Sequence, residues 1–239
     1  MQDLIPIVAL ALLPAAGTMI GGVIAECSRP PDWFVGTALH AAAGVAIGVV
    51  AIALIPRILV GGEVAVSALL LACGMLAAFL LARGFGGGRS EPQGKAAGLM
   101  VAATVAADLA GDGLMTGAGS AVASRLGLIL AVSQILGNMP GGFAAIANLR
   151  QRELPRSRRL LLIGVIPLIA PLAAAVGFIT LRGASEAIQA AALTLMAGFL
   201  LLATVEDVLP EGDRPRPPRR YSTAAFAAGF VGMFAFAST

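Results

Sequence analysis

The sequence predicts an all-α, polytopic membrane protein of eight transmembrane helices, and three observations lead there. First, the 239 residues are 58% hydrophobic and only 12% charged, with a mean hydropathy of +0.91. A water-soluble domain of this length has no use for so much apolar surface. Second, the apolar residues fall into runs of about 20, the length a helix needs to cross a bilayer. Third, aromatic residues are scarce at 5% while glycine reaches 30 and alanine is abundant. Small residues of this kind let helix backbones approach closely in lipid.

Length and loop signals place the spans at roughly 4–25, 37–59, 65–83, 97–122, 126–149, 160–181, 187–210 and 221–238, in one integral membrane domain, 1–239. The N-terminus Met1-Gln2-Asp3 lacks a basic n-region, so the first run reads as a retained helix. The first loop, Glu26 to Gly36, holds Pro30-Pro31 and the only tryptophan, Trp33, an interfacial anchor. A short second loop surrounds Gly61-Gly62-Glu63. The third, about 84–96, is Gly-rich and reads as a flexible cytoplasmic loop between spans 3 and 4. A tight turn is expected near Arg125 and Gly127. The fifth loop, Arg150 to Arg159, is basic; the sixth, Arg182 to Glu186, is short; the seventh, Glu211 to Arg220, is basic and Pro-rich.

Charge sets the orientation. Odd-numbered loops and adjoining helix ends carry Arg29, Arg83, Arg89, Lys95, Arg150, Arg152, Arg156, Arg158, Arg159, Arg214, Arg216, Arg219 and Arg220, which is 13 of the 16 basic residues. The positive-inside rule makes those loops cytoplasmic, and an even number of spans puts both termini outside. The expected location is therefore a multi-pass position in a bacterial inner membrane. The net charge of +3 follows from this topology and from contact with anionic lipid, so nucleic acid is not an expected partner. Two cysteines, Cys27 and Cys73, form no disulfide framework or metal motif. There is no nucleotide-binding loop, catalytic triad or HExxH motif, and the chain does not read as an enzyme.

A short pattern repeats with inverted topology. Ala43-Gly44 precedes Pro56 by twelve residues, and Ala197-Gly198 precedes Pro210 by twelve, in spans that run in opposite directions. Inverted repeats are common in secondary transporters. This one relates spans 1–3 to spans 6–8 and sets spans 4 and 5 apart. Those two spans carry the unusual residues. Asp108 and Asp112 lie one helical turn apart and share a face. Carboxylates at mid-membrane depth cost a few kcal/mol each and usually mark function. Gly111, Gly113, Gly117 and Gly119 surround them, and span 5 answers with Gly137-Asn138-Met139-Pro140-Gly141-Gly142. Thr104 and Thr116 extend the acidic stripe, Gln134 stands one turn from Asn138, and Glu206 and Asp207 sit near the cytoplasmic end of span 7. Metal binding, proton binding and a structural hydrogen-bonded pair are the three readings of Asp108 and Asp112.

These residues resemble the ZIP (Zrt-, Irt-like protein) family of divalent metal transporters. Asn138-Met139-Pro140-Gly141-Gly142-Phe143-Ala144, continuing to Leu149-Arg150-Gln151-Arg152, is similar to that family's fifth helix. Asp108 to Gly113 is similar to its fourth, and Pro171-Leu172 to part of its sixth. Ala42-Ala43-Gly44 through Pro56, and Ala197-Gly198 through Glu211, resemble its second and seventh. The resemblance implies eight helices with both termini outside, a mid-membrane metal site at Asp108, Asp112 and Asn138, and an exit path along Glu206 and Asp207; by their spacing, Gln134, Thr104 and Thr116 are further site or pathway residues. It also implies a departure, because Leu109, Gly137, Gly141 and Ala170 fall at ligand positions and cannot coordinate through side chains. What is left offers oxygen only. Zinc prefers imidazole or thiolate, and the single histidine, His40, reads as a packing residue. Oxygen ligands suit Mg²⁺ or Mn²⁺ better. The expected function is divalent cation transport, with the cation and membrane lipid as partners and a homodimer left open. The alternatives are a proton-coupled carrier of another small cation or solute, and a non-transporting interaction or regulatory protein.

Overall fold

In the computed structural model, residues 4–61, 63–86, 95–214 and 216–238 are described, and they are helical with no strand among them. The expected flexible loop at 84–96 falls largely outside the described residues. The helices are α1 (Leu4–Cys27), α2 (Asp32–Val60), α3 (Val64–Gly84), α4 (Lys95–Val122), α5 (Ser124–Gln151), α6 (Arg156–Leu181), α7 (Glu186–Asp213) and α8 (Arg219–Ser238). Among the described residues, seven of these stretches, all but α4, stand out as long and apolar enough to cross a membrane. At 28 residues α4 also has the length to cross, and it carries Asp108 and Asp112 in its middle. The chain is an all-helical polytopic membrane protein.

Several boundaries differ from expectation, each for a local reason. The second helix starts at Asp32, not 37, because extended Pro31 serves as its N-cap and Asp32 supplies an acid to the first turn. Trp33 is thus helical, and it packs at 5.6 Å between ring centroids on Tyr221 of α8. Pro155 starts α6 in the same way, at Arg156. The tight turn between α4 and α5 is centred on Ala123, whose backbone is extended, so Arg125 and Gly127 are helical.

Proline also shapes helix interiors. Lacking an N–H, Pro14 leaves the Leu10 carbonyl without its usual partner, and α1 breaks at Ala11. Pro167 accompanies a 3₁₀ turn at Ile166–Leu168 in α6. The two helices that carry the short repeat both contain a π-helical turn just before the repeated proline: Val49–Leu54 ahead of Pro56, and Thr204–Val208 ahead of Pro210. A π turn is rare and favours functional sites.

Helices pair as α1 with α5, α4 with α6, α2 with α8 and α3 with α7. Backbone-to-backbone approach at glycine makes these crossings possible. At the α2–α8 crossing, a Cβ on Gly44 would overlap the Phe226 carbonyl, and one on Gly229 would overlap that of Ala41. At the α3–α7 crossing, Gly74 and Gly198 stand in the same relation to Leu195 and Leu71. The outermost helices, α3 and α8, are buried over only 11% of their apolar stretch and expose residues such as Leu69, Leu76, Leu80 and Val231. In a membrane protein such a surface faces lipid.

The largest buried apolar cluster lies toward the ends of the helices joined by even-numbered loops. Val49, Leu54 and Ile58 of α2 meet Leu126 and Leu130 of α5, Leu193 of α7 and Met233 of α8. At the opposite ends, a polar knot ties the helices. The Glu26 carboxylate of α1 accepts two hydrogen bonds from the Arg159 guanidinium of α6, the one from Nη2 at 3.0 Å, and Arg150 of α5 donates to the Ala25 carbonyl at 2.5 Å. Glu26 and Arg159 side chains are only 4% and 10% exposed, so each charge has its partner where water is scarce.

Candidate functional site

The middle of α4 and the middle of α5 lie side by side, and the polar residues of both meet there. Asp112 is buried, and its Oδ2 accepts a hydrogen bond from Asn138 Nδ2 at 2.7 Å. The same Nδ2 donates to the Pro14 carbonyl of α1 at 3.3 Å. Both partners are acceptors, which fixes the amide with its NH₂ toward them and its Oδ1 away. Asn138 therefore joins three helices and still presents an oxygen.

Gln134, which lines the cavity beside Asp112 and Asn138, is also tied to α4 at both ends. Its Oε1 accepts from the fully buried Thr116 hydroxyl at 2.8 Å, and its Nε2 donates to the Asp112 backbone carbonyl at 3.2 Å. Both ends of the amide are engaged by α4, so Gln134 acts as a strut that sets the register of α5 against α4. Thr116 is committed to the same strut. Ser120 continues the line by donating to the Thr116 carbonyl at 2.7 Å.

A cavity of about 110 Å³ opens beside this network. Four helices line it: α4 through Asp108, Gly111, Asp112 and Met115; α5 through Leu130, Ser133, Gln134, Gly137 and Asn138; α2 through Ala42 and Ala46; and α7 through Phe199, Leu200, Ala203, Thr204 and Val208. Leu130 belongs to the apolar cluster as well, so that cluster closes the cavity toward the even-loop ends. Asp108 is exposed, unlike Asp112. It stands within electrostatic reach of Asp112 on its own helix and of Asp207 on α7, and Asp207 in turn neighbours Glu206. Glu206 and Asp207 are exposed on the π turn, toward the odd-loop end. Acidic side chains thus run from the buried centre toward one end of the bundle, a field that concentrates cations.

The structure brings together Asp108, Asp112, Asn138 and Gln134 around one cavity, sets Asp207 near its acidic edge, and leaves Thr104 and Thr116 off the lining. Leu109 and Ala170, at positions where the resemblance expects ligands, are fully buried against Ala15. Gly137 and Gly141 have open space where a side chain would stand. His40 is not in the cavity. Its Nδ1 donates to the Gly36 carbonyl at 2.8 Å and its Nε2 lies 3.3 Å from Asp213 Oδ1, at the end of α7. Sequence reasoning missed Ser133 and Thr204, whose hydroxyls donate to the Leu130 and Leu200 carbonyls at 2.7 Å and leave lone pairs at the lining. The only signal was position: Ser133 adjoins Gln134, and Thr204 precedes Asp207 by three. The Pro14 carbonyl had no signal at all.

Among the described residues, no three His, Cys, Asp or Glu side chains converge as they would around a tightly held metal. The cavity can neutralise a positive charge with two carboxylates and can offer amide and hydroxyl oxygens, but it holds no nitrogen ligand and only the Met115 thioether as a soft one. A scan against protein-family models returns no match for this chain, and neither does a search of curated proteins.

Proposed function

We propose that the chain is a ZIP-like membrane carrier for a divalent cation, bound between α4 and α5 at Asp108, Asp112 and Asn138. One observation carries the reading: the two acidic residues of α4 and the amide of α5 line a single cavity in the interior of an otherwise apolar helical membrane protein. Burying acid there is costly, and a cation that binds both carboxylates offsets that cost. In this reading α4 is the eighth span, both termini lie outside, and the odd loops face the cytoplasm of a bacterial cell. The helix pairing supports an inverted repeat. Exchanging α1 with α6, α2 with α7, α3 with α8 and α4 with α5 turns the pair α1–α5 into α6–α4 and α2–α8 into α7–α3. The paired π turns before Pro56 and Pro210 obey the same exchange. Closure by the apolar cluster on one side, with acidic residues on the other, fits a carrier resting open to the cytoplasm.

The test is uptake of a panel of divalent ions into liposomes holding the purified chain, for wild type, Asp108→Asn, Asp112→Asn and the double variant, between about pH 5.5 and 8. Protons and the cation compete for the same carboxylates, so uptake strengthens as pH rises and fades as pH falls. Each single variant weakens uptake and flattens that dependence. The double variant loses little more than either, because members of one site are not additive. Equal uptake by all four proteins refutes the site and leaves the resemblance as one of scaffold alone.

A further inference from the structure

The oxygen inventory of the cavity defines the form in which a cation fits. We infer that the site binds a hard divalent cation of the Mg²⁺ or Mn²⁺ class with about half of its water shell retained, and that it does not select a dehydrated, nitrogen- or sulfur-seeking ion. The inference rests on the carrier reading above and deepens it.

Asp112 and Asn138 are 7% and 8% exposed, so more than nine-tenths of each is buried. Among the described residues, no hydrogen bond reaches Asp112 Oδ1 or Asn138 Oδ1, because their partners engage Oδ2 and Nδ2. No walled-off side-chain oxygen among the described residues lacks a partner, so both of these oxygens open onto the cavity, where a water or a cation can meet them. The Asp108 carboxylate supplies a third oxygen from the same lining. Gln134 is left out of this count, because its Oε1 already accepts from Thr116 and its Nε2 is held at the Asp112 carbonyl. Three oxygens fill half of the octahedral shell that Mg²⁺ demands, and Mg²⁺ characteristically keeps waters in the remainder. The space for those waters is present. Even at the roughly 30 Å³ a water takes in the liquid, a cavity of about 110 Å³ has room for at least three. Gly111 and Gly137 enlarge it, for a Cβ at either position would meet nothing within 4 Å. The hydroxyls of Ser133 and Thr204 have given their protons to backbone carbonyls and are left as acceptors, suited to hold metal-bound waters.

Mn²⁺ is the probe. Purified chain in detergent is titrated with Mn²⁺, and the waters on the bound ion are counted from the broadening of its electron paramagnetic resonance in ¹⁷O-enriched water. The expected count is about three, and zinc displaces Mn²⁺ with an affinity within about tenfold of its own. A count of none or one, or zinc displacement a hundredfold tighter, overturns the inference while leaving a metal site in place. A count of six indicates a fully hydrated ion held by charge alone and overturns it equally. Loss of the carrier reading looks different: no Mn²⁺ binds, or Asp112→Asn binds it as well as wild type. A second variant, Gly137→Val, fills the water space from an open position. In protein that keeps its helical spectrum and elutes as a single species, it lowers Mn²⁺ affinity at least tenfold, and an unchanged affinity and water count overturns the assignment of the waters to this cavity.

Discussion

Replacing Gln134 with leucine separates a strut from a ligand. In the wild type its amide accepts from Thr116 and donates to the Asp112 carbonyl, at 2.8 and 3.2 Å. Leucine has similar bulk and neither function. Hydrogen bonds between membrane helices contribute roughly 0.6 to 1.7 kcal/mol each when isolated by double-mutant cycles. The Asp112 carbonyl loses little, because a helical carbonyl at i still accepts from i+4. The Thr116 hydroxyl is fully buried and loses its partner, although it can turn back on its own helix. The net loss is about 1–2 kcal/mol, or a shift of about five- to thirtyfold in a reversible unfolding equilibrium in mixed micelles. Thr116→Val in the same chain removes the stranded hydroxyl, so the double variant recovers part of that loss. Mn²⁺ affinity, measured alongside, falls by less than about threefold, because the proposed ligands are Asp108, Asp112 and Asn138 and not Gln134. A Gln134→Leu protein of undiminished stability whose ion affinity collapses as far as that of Asp112→Asn refutes the strut and makes Gln134 a ligand.

Two further predictions concern architecture. In a chain with Cys27 and Cys73 replaced by serine, a cysteine at position 238 reacts with an impermeant thiol reagent added to intact cells, and one at position 90 reacts only after the cells are opened; labelling of position 90 from outside refutes the orientation. Gly44→Leu drives a side chain into the Phe226 carbonyl and destabilises the α2–α8 crossing by about 1–3 kcal/mol or more, with Gly198→Leu behaving alike at the α3–α7 crossing against Leu71. Unfolding midpoints in detergent read both losses, and a silent Gly44→Leu refutes the close crossing.

Much of this protein can be read from its residues alone. Apolar runs about 20 residues long dictate helices, since only a helix or a closed barrel satisfies every backbone group inside a bilayer. That logic located the helices, and it failed by a turn at Asp32 and Arg156, where a preceding proline starts the helix earlier than the apolar run does. The spacing of Asp108 and Asp112 placed them on one helix face, while the π turns ahead of Pro56 and Pro210 had no signal in the repeat beyond its position. Periodicity, however, gives the face of a helix without saying which neighbour it meets. Only the packing decided that Asp112 turns inward onto Asn138, which also reaches the Pro14 carbonyl, while Asp108, one turn away, stays exposed. Packing also made Gln134 a strut and set Leu109 against Ala15 and Ala170. The Glu26–Arg159 pair spans 133 positions of sequence, and His40 meets Asp213 from another helix. Such partners are fixed by where glycine lets two backbones touch, and that is a property of the assembled bundle rather than of any one span.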